Sequence, residues 1–240
     1  MSRSFVVVNK KQVIAAVTAL AVFIALSAFA ANLDLSKAET VSGSAEESTL
    51  VIDAGHGGID GGAIGADGSK ESDLNLAIAL RLQAVSAFCG KNAVMTRTDD
   101  SRGSNALTYS EHDELVYRAD VVNATPNAVL LSIHQNCYPT AQPSGAQVLY
   151  SSNGQSEVLG KLMHANLVNC LDPQNRRVAE PDKNHLYILS NVSCPAILVE
   201  CGFVSNHSDI TKLTDSRYQT ALSTVLMGTY LQFVNGNQHT

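Results

Sequence analysis

Three apolar segments of this chain end on side chains that can do chemistry. "LVIDAGH" closes on His56, "LLSIH" on His134 and "ILVE" on Glu200. A neutral imidazole is the commonest protein ligand for a borderline metal ion. In open α/β sheets, ligands bind outside the carboxyl ends of parallel strands, where polar residues converge. Hydrolytic zinc sites take three protein ligands and leave one position for water. A third ligand is therefore needed, and Glu71 in "GSKESDLNLAIALRL" stands where the next helix should begin. Alone, an acid there is explained by the helix dipole. Together with His56, on a glycine loop that can fold back, and His134, it predicts one zinc ion held by His56, Glu71 and His134.

Glu200 closes an apolar strand, where desolvation should raise its pKa. That suits a catalytic proton carrier better than a metal ligand. The reverse assignment, with Glu200 as ligand and Glu71 as base, stays open. The loop "VIDAGHGGIDGGA" is not a phosphate cradle. A dinucleotide fingerprint starting at Gly55 would need glycine where Asp60 stands, and a P-loop would need Lys-Ser or Lys-Thr where Ala63 follows Gly62. Its glycines are expected to permit tight turns and the close approach of a substrate backbone. Asn136, two residues beyond His134, and Arg177 in "NRRV" are weaker substrate-binding candidates, the arginine through charge-assisted bonds to a carboxylate or oxyanion. His112, His164, His185, His207 and His239 lack a comparable strand-end setting and read as solvated or structural.

The elements that must position these groups are legible as alternating patterns. "TLVIDA", "NAVMTR", "NAVLLSIH", "GAQVLYS" and "PAILVECGF" read as strands, with "HLYIL" at 185–189 a weaker one. Leu74, Ala77, Ile78, Leu82 and Val85 recur at helical spacing, as do Leu159, Leu162, Met163 and Leu167. A last helix is expected over about 216–233, with Ala221, Val225, Leu226 and Leu231 facing inward. Strands alternating with helices predict a single three-layer α/β domain, a mostly parallel mixed sheet with helices on both faces.

The N-terminus is of another kind. Arg3, Lys10 and Lys11 precede an apolar run from Val13 to about Ala31, with Ala28 and Ala30 in an A-x-A arrangement. Residues 1–31 read as a secretory signal peptide or a retained membrane anchor, and either predicts an exported body. The polar, acidic stretch 32–48 reads as a flexible linker, 49–235 as the catalytic domain and 236–240 as a tail. A net charge of −6 leaves no basic footprint for nucleic acid, and the absence of Trp argues against an aromatic stacking platform. The five cysteines have no C-x-x-C spacing and read as small buried hydrophobes, one at least unpaired in an exported chain.

The motifs "VIDAGHGGIDGGAIG", "KESDLNLAIALRL", "TRTDD", "LLSIHQN", "GAQVLY" and "PAILVECGFVSN", in this order, resemble the zinc-dependent N-acetylmuramoyl-L-alanine amidases, the AmiC-like catalytic domains. The resemblance runs from Leu50 to Phe233. It implies hydrolysis of the amide joining N-acetylmuramic acid to L-alanine in peptidoglycan. By its motifs it also assigns zinc to His56, Glu71 and His134 and catalysis to Glu200, and expects arginines at Arg97 and Arg118, which structural ion pairs explain as well. "SGAQVLY" and "DPQNRRV" resemble the spore-cortex muramic-lactam subgroup. Where the family usually reads I-H-A-N-A, this chain reads I-H-Q-N-C, a departure expected to bear on the substrate side. Three other readings stay open: a zinc peptidase acting on the peptide stem, a catalytically inactive peptidoglycan-binding protein, and a cysteine hydrolase built on Cys137 or Cys201. A regulatory protein partner is compatible with the sequence, which names none.

Overall fold

The parity of side chains along three adjacent strands decides where the chemistry sits. A computed structural model describes residues 47–102 and 110–236. Its six-stranded sheet runs β2 (Ala93–Met95), β1 (Thr49–Ala54), β3 (Ala128–Asn136), β6 (Ala196–Phe203), β4 (Gln147–Tyr150), β5 (Glu180–Pro181). All neighbours are parallel except β4 and β6. Successive strand residues point to opposite faces. One face carries Leu50 and Ile52 of β1, Leu131 and Ile133 of β3, and Ile197 and Val199 of β6. The other carries Val51, Leu130 and Leu198.

Helices α1 (Glu71–Phe88), α3 (Gly154–Leu171) and α6 (Ser216–Gly236) cover the first face, and α2 (Glu111–Asn123) and α4 (Tyr187–Ser190) the second. The expected three-layer α/β domain is thus the observed one. A short α5 (His207–Leu213) joins β6 to α6. Because β2 and β3 flank β1 on opposite sides, the crevice at the carboxyl ends of β1 and β3 is a topological switch point.

Several expectations need correction. Residues 185–189 do not form a strand: Tyr187–Ser190 is a helical turn whose Ile188 and Leu189 plug the second face. A short apolar run fits strand and buried helix alike. In α6 the buried stripe is Leu222, Leu226, Met227, Tyr230 and Phe233; Ala221 is exposed and Val225 and Leu231 only partly buried. The inward face is therefore about one position from the one expected. Of the cysteines, only Cys201 is buried; Cys89, Cys137 and Cys170 are exposed, Cys194 is intermediate, and all are free thiols. The proposed signal or anchor and most of the linker lie outside the described residues. Among the described residues no helix is long and apolar enough to cross a membrane.

Candidate metal centre

The His56 loop and the head of α1 hold each other in place. Lys70 caps α1 without a side-chain bond. The first helical amides, free by the geometry of any helix, donate instead to the loop: Glu71 N to the Ala63 carbonyl and Ser72 N to the Gly61 carbonyl. Ala63 N returns a bond to Glu71 Oε2 at 2.9 Å. The glycine loop is thereby folded back onto the helix, which brings His56 to Glu71. His56 takes a left-handed φ of 60°, uncommon outside glycine, and its Nδ1 is hydrogen-bonded to Asp60 Oδ2 at 2.7 Å. Asp60 Oδ1 accepts from Gly62 N, so this carboxylate is anchored too. The bond at Nδ1 points Nε2 toward Glu71, the arrangement that orients metal-binding histidines.

His134 arrives by strand register. It pairs directly with Glu200 across β3 and β6, so the two side chains stand next to each other on the same face. His134 Nδ1 lies 3.1 Å and His56 Nε2 3.3 Å from Glu71 Oε1. Counting one donor atom from each residue, His56, Glu71 and His134 come within 4.8 Å of one another. The imidazoles meet edge to face at 5.0 Å between ring centroids. Glu71 is 4% exposed, so it is neither a surface acid nor a simple cap. The three ligands expected from sequence are thus brought together.

The electrostatics favour a cation. Burial works against a charged His56, but Glu71 and Asp60 outweigh it and raise His56 to about 9. Burial likewise opposes charge on Glu71, yet His134 and His56 hold its carboxyl far below the usual range. Two imidazoles and a desolvated carboxylate at such spacing match the donor set of hydrolytic zinc sites, so the residues present fit the implied ion. Glu200 behaves differently. Burial drives it up to about 7, with Glu71 adding to the rise, against the pull of His134, His56 and Arg177. Its Oε2 is buried and makes no hydrogen bond. A group that exchanges protons near neutral pH is what proton transfer requires.

The tight turns expected of the loop glycines are present at Gly57, Gly58 and Gly62, all at positive φ, and two glycines also make room for the site. A Cβ on Gly55 would lie 2.2 Å from the His134 ring, and one on Gly62, at φ 63°, would lie 2.7 Å from Glu71 Oε2. The close approach is made by the site's own side chains.

Arg177 stands with its guanidinium 4.3 Å from the centre of the Phe203 ring, donating to the Ser144 carbonyl and to Gln147 Oε1. Gln147 is the β4 residue paired with Glu200, so Arg177 borders the site. Asn136 lies past a register irregularity, paired with Phe203. A cleft opens beside the two histidines, walled by Asp60, Glu111, Leu115 and Ile188.

Of the supporting groups, sequence reasoning named Arg97 and Arg118, the latter now seen in an ion pair with Asp53, but missed Asp53 and Asn75. Asp53 is buried among Arg118, Thr96 and Ser132 and hydrogen-bonds all three. Arg118 also donates to the carbonyls of Ala54 and His56, and Arg97 to those of Ala54, Gly55 and Ser72. The signal for Asp53 was its place inside an apolar strand, "VIDA", where a charge demands a partner. Asn75, at helical spacing from Glu71, and Gln135 are likewise buried behind the ligands. Of the departure I-H-Q-N-C, Gln135 is buried and faces inward, while Cys137 is exposed. Cys201 is buried at 2% exposure, and burial pushes its thiol up, away from the thiolate a nucleophile needs. His164 is buried in α3, while His112 packs edge-on against Tyr187.

Fold and site together define the class of amidase catalytic domains. The CwlD amidase of Clostridioides difficile, solved in complex with the GerS lipoprotein, superposes with a TM-score of 0.71 at 30% identity, covering 79% of this chain and 99% of that one. The germination-specific N-acetylmuramoyl-L-alanine amidase of Bacillus subtilis is 29% identical over 189 residues, 77% of this chain and 78% of its own. The amidase LytC of the same organism is 31% identical over 174 residues, 71% of this chain but 32% of LytC. A family model for N-acetylmuramoyl-L-alanine amidases matches residues 50–227, and the chain belongs to that family.

Proposed function

We propose that this chain hydrolyses the amide bond between N-acetylmuramic acid and L-alanine in peptidoglycan, using one zinc ion held by His56, Glu71 and His134. The observation that carries the reading is the convergence of those three donors next to Glu200, a buried carboxylate with an unbonded oxygen and a pKa near 7. A bound zinc would supply positive charge that acidifies water toward about pKa 7 and polarises a carbonyl. Glu200 removes the proton of the water as its oxygen attacks the lactyl carbonyl. It then gives that proton to the alanine nitrogen as the C–N bond breaks, so the amine leaves neutral. Asp60 holds His56 in one tautomer. Arg177, which borders the site, and Asn136, two residues beyond His134, are the substrate-binding residues of this reading, the arginine for a peptide carboxylate.

The chain works on the outer side of the membrane, exported through residues 1–31, which act as a signal or a tether. Similarity to the germination-specific amidase and to CwlD supports the spore cortex as its substrate. The lipoprotein seen with CwlD supports a regulatory protein partner.

Digestion of purified peptidoglycan with and without a metal chelator, read by mass spectrometry, tests the reaction. Release of peptides with free N-terminal alanine, stopped by the chelator and restored by zinc, is expected. Release of C-terminal residues instead would make the chain a stem peptidase, and binding without release a silent wall protein. Glu200→Gln should keep zinc and lose about 10²–10⁴-fold in rate; loss of zinc would make Glu200 a ligand.

A further inference from the structure

Behind the proposed ligands lies a chain of buried amides that the reaction itself does not use. Asn75 has no exposed surface. Its Nδ2 donates to the Gly55 carbonyl at 3.1 Å and approaches Glu71 Oε1 at 3.4 Å. Both of these partners are acceptors only, so the amino end of Asn75 must face them and its oxygen must face away. There Gln135 Nε2 donates to Asn75 Oδ1 at 3.1 Å. That contact orients Gln135 in turn and leaves its own Oε1 buried without a geometrically sound hydrogen bond, the Cys201 thiol, a weak donor, being its neighbour, in a side chain only 3% exposed.

An unpaired buried acceptor is costly, and an apolar residue of this size would avoid the cost. Stability is therefore a poor reason for glutamine here. The backbone amide of the same residue donates to Glu71 Oε1 at 3.1 Å. Gln135 thus touches the carboxylate directly through its main chain and steadies it through Asn75. The Gly55 carbonyl held by Asn75 belongs to the residue against which the His134 ring packs.

We propose that Gln135 and Asn75 form a positioning relay that sets the metal affinity of the site by fixing Glu71 Oε1 and the backbone beneath His134. The proposal rests on the zinc reading above. Without the relay, the Glu71 carboxylate loses one of the bonds that hold it in its binding orientation, and groups behind metal ligands typically govern affinity by about 10–100-fold.

The test is zinc titration of the purified full chain against a chelating indicator, alongside thermal melting of the metal-free protein. Gln135→Met removes both amide atoms at similar volume, and Gln135→Glu keeps the shape but loses the donor. Zinc binding weaker by about 10–100-fold in both variants, with the metal-free melting midpoint of Gln135→Met unchanged, is the expected result. Wild-type zinc affinity in Gln135→Met overturns the relay while leaving the zinc reading intact. So does an affinity loss that merely follows a lowered metal-free midpoint in both variants. Failure of the wild-type chain itself to bind zinc removes the zinc reading and the relay together.

Discussion

A single missing methyl group holds the site open at Gly55. A Cβ there would overlap the His134 ring, which cannot retreat because its strand is locked between β1 and β6. Gly55→Ala should weaken zinc binding by about 10-fold or more while the circular dichroism spectrum stays native; unchanged affinity would show that the ring has another place to go. Glu200 gives a second expectation, for the metal-free protein. Its folded pKa of about 7 lies above the ordinary carboxyl value of about 4.3. Stability tied to the protonated carboxyl is thus present at low pH and lost as pH rises through about 7. Glu200→Gln, which never ionises, should therefore be more stable than wild type at pH 8, by the order of 1 kcal/mol or more. The advantage should shrink below pH 5, and parallel denaturant titrations at the two pH values measure it.

Among the elements, β1 contributes more than its length suggests. Its Asp53 is buried, which opposes ionisation, but Arg118, His134, Ser132 and Thr96 outweigh this and lower it to about 2. The sign is the reverse of that for Glu200: the stabilisation is present above about pH 4 and lost as pH falls toward about 2. Asp53→Asn leaves Arg118 buried without its counter-ion and should cost about 3–5 kcal/mol at pH 7 in urea unfolding. A cost below 1 kcal/mol would mean that the carbonyls of Ala54 and His56 satisfy the arginine alone. Helix α6 allows a test of phase. Leu226→Ala, at a fully buried position, should cost about 2–5 kcal/mol. Ala221→Ser, at an exposed one, should stay within about 0.5 kcal/mol.

For the molecule as a whole, the site is a point where loop, sheet and helix share one load. His56 comes from the loop after β1, Glu71 from the head of α1, and His134 and Glu200 from paired strands. An ion bound there ties these parts together and stabilises only the folded state. Zinc at about 100 times its Kd should add about 2.7 kcal/mol, or roughly 5–10 °C in melting temperature for a domain of this size. Chelator should reverse the shift in differential scanning calorimetry, and a midpoint indifferent to both zinc and chelator would count against a three-ligand site.

The candidate set His56, Glu71, His134 and Glu200 was legible in the local pattern of the sequence. A polar residue closing an apolar run lies near the carboxyl end of its strand: His56 stands two residues past β1, and His134 and Glu200 stand within the last residues of β3 and β6; alternation with helical periods was enough for an α/β domain. The helical turn at 187–190 was not legible, since a short apolar run satisfies two periods; nor was the phase of α6, where neighbouring apolar positions compete for the inward face and packing against the other layers chooses. The inward turn of Gln135, the role of Asp53 and the crowding at Gly55 were hidden for the same reason: each depends on distances between segments far apart in the chain. Sequence by itself determined which side chains were on offer and near which strands and helix they lie. Tertiary structure alone decided that they meet, because β6 inserts beside β3 in a register that sets Glu200 against His134, and no pattern within either segment specifies that pairing.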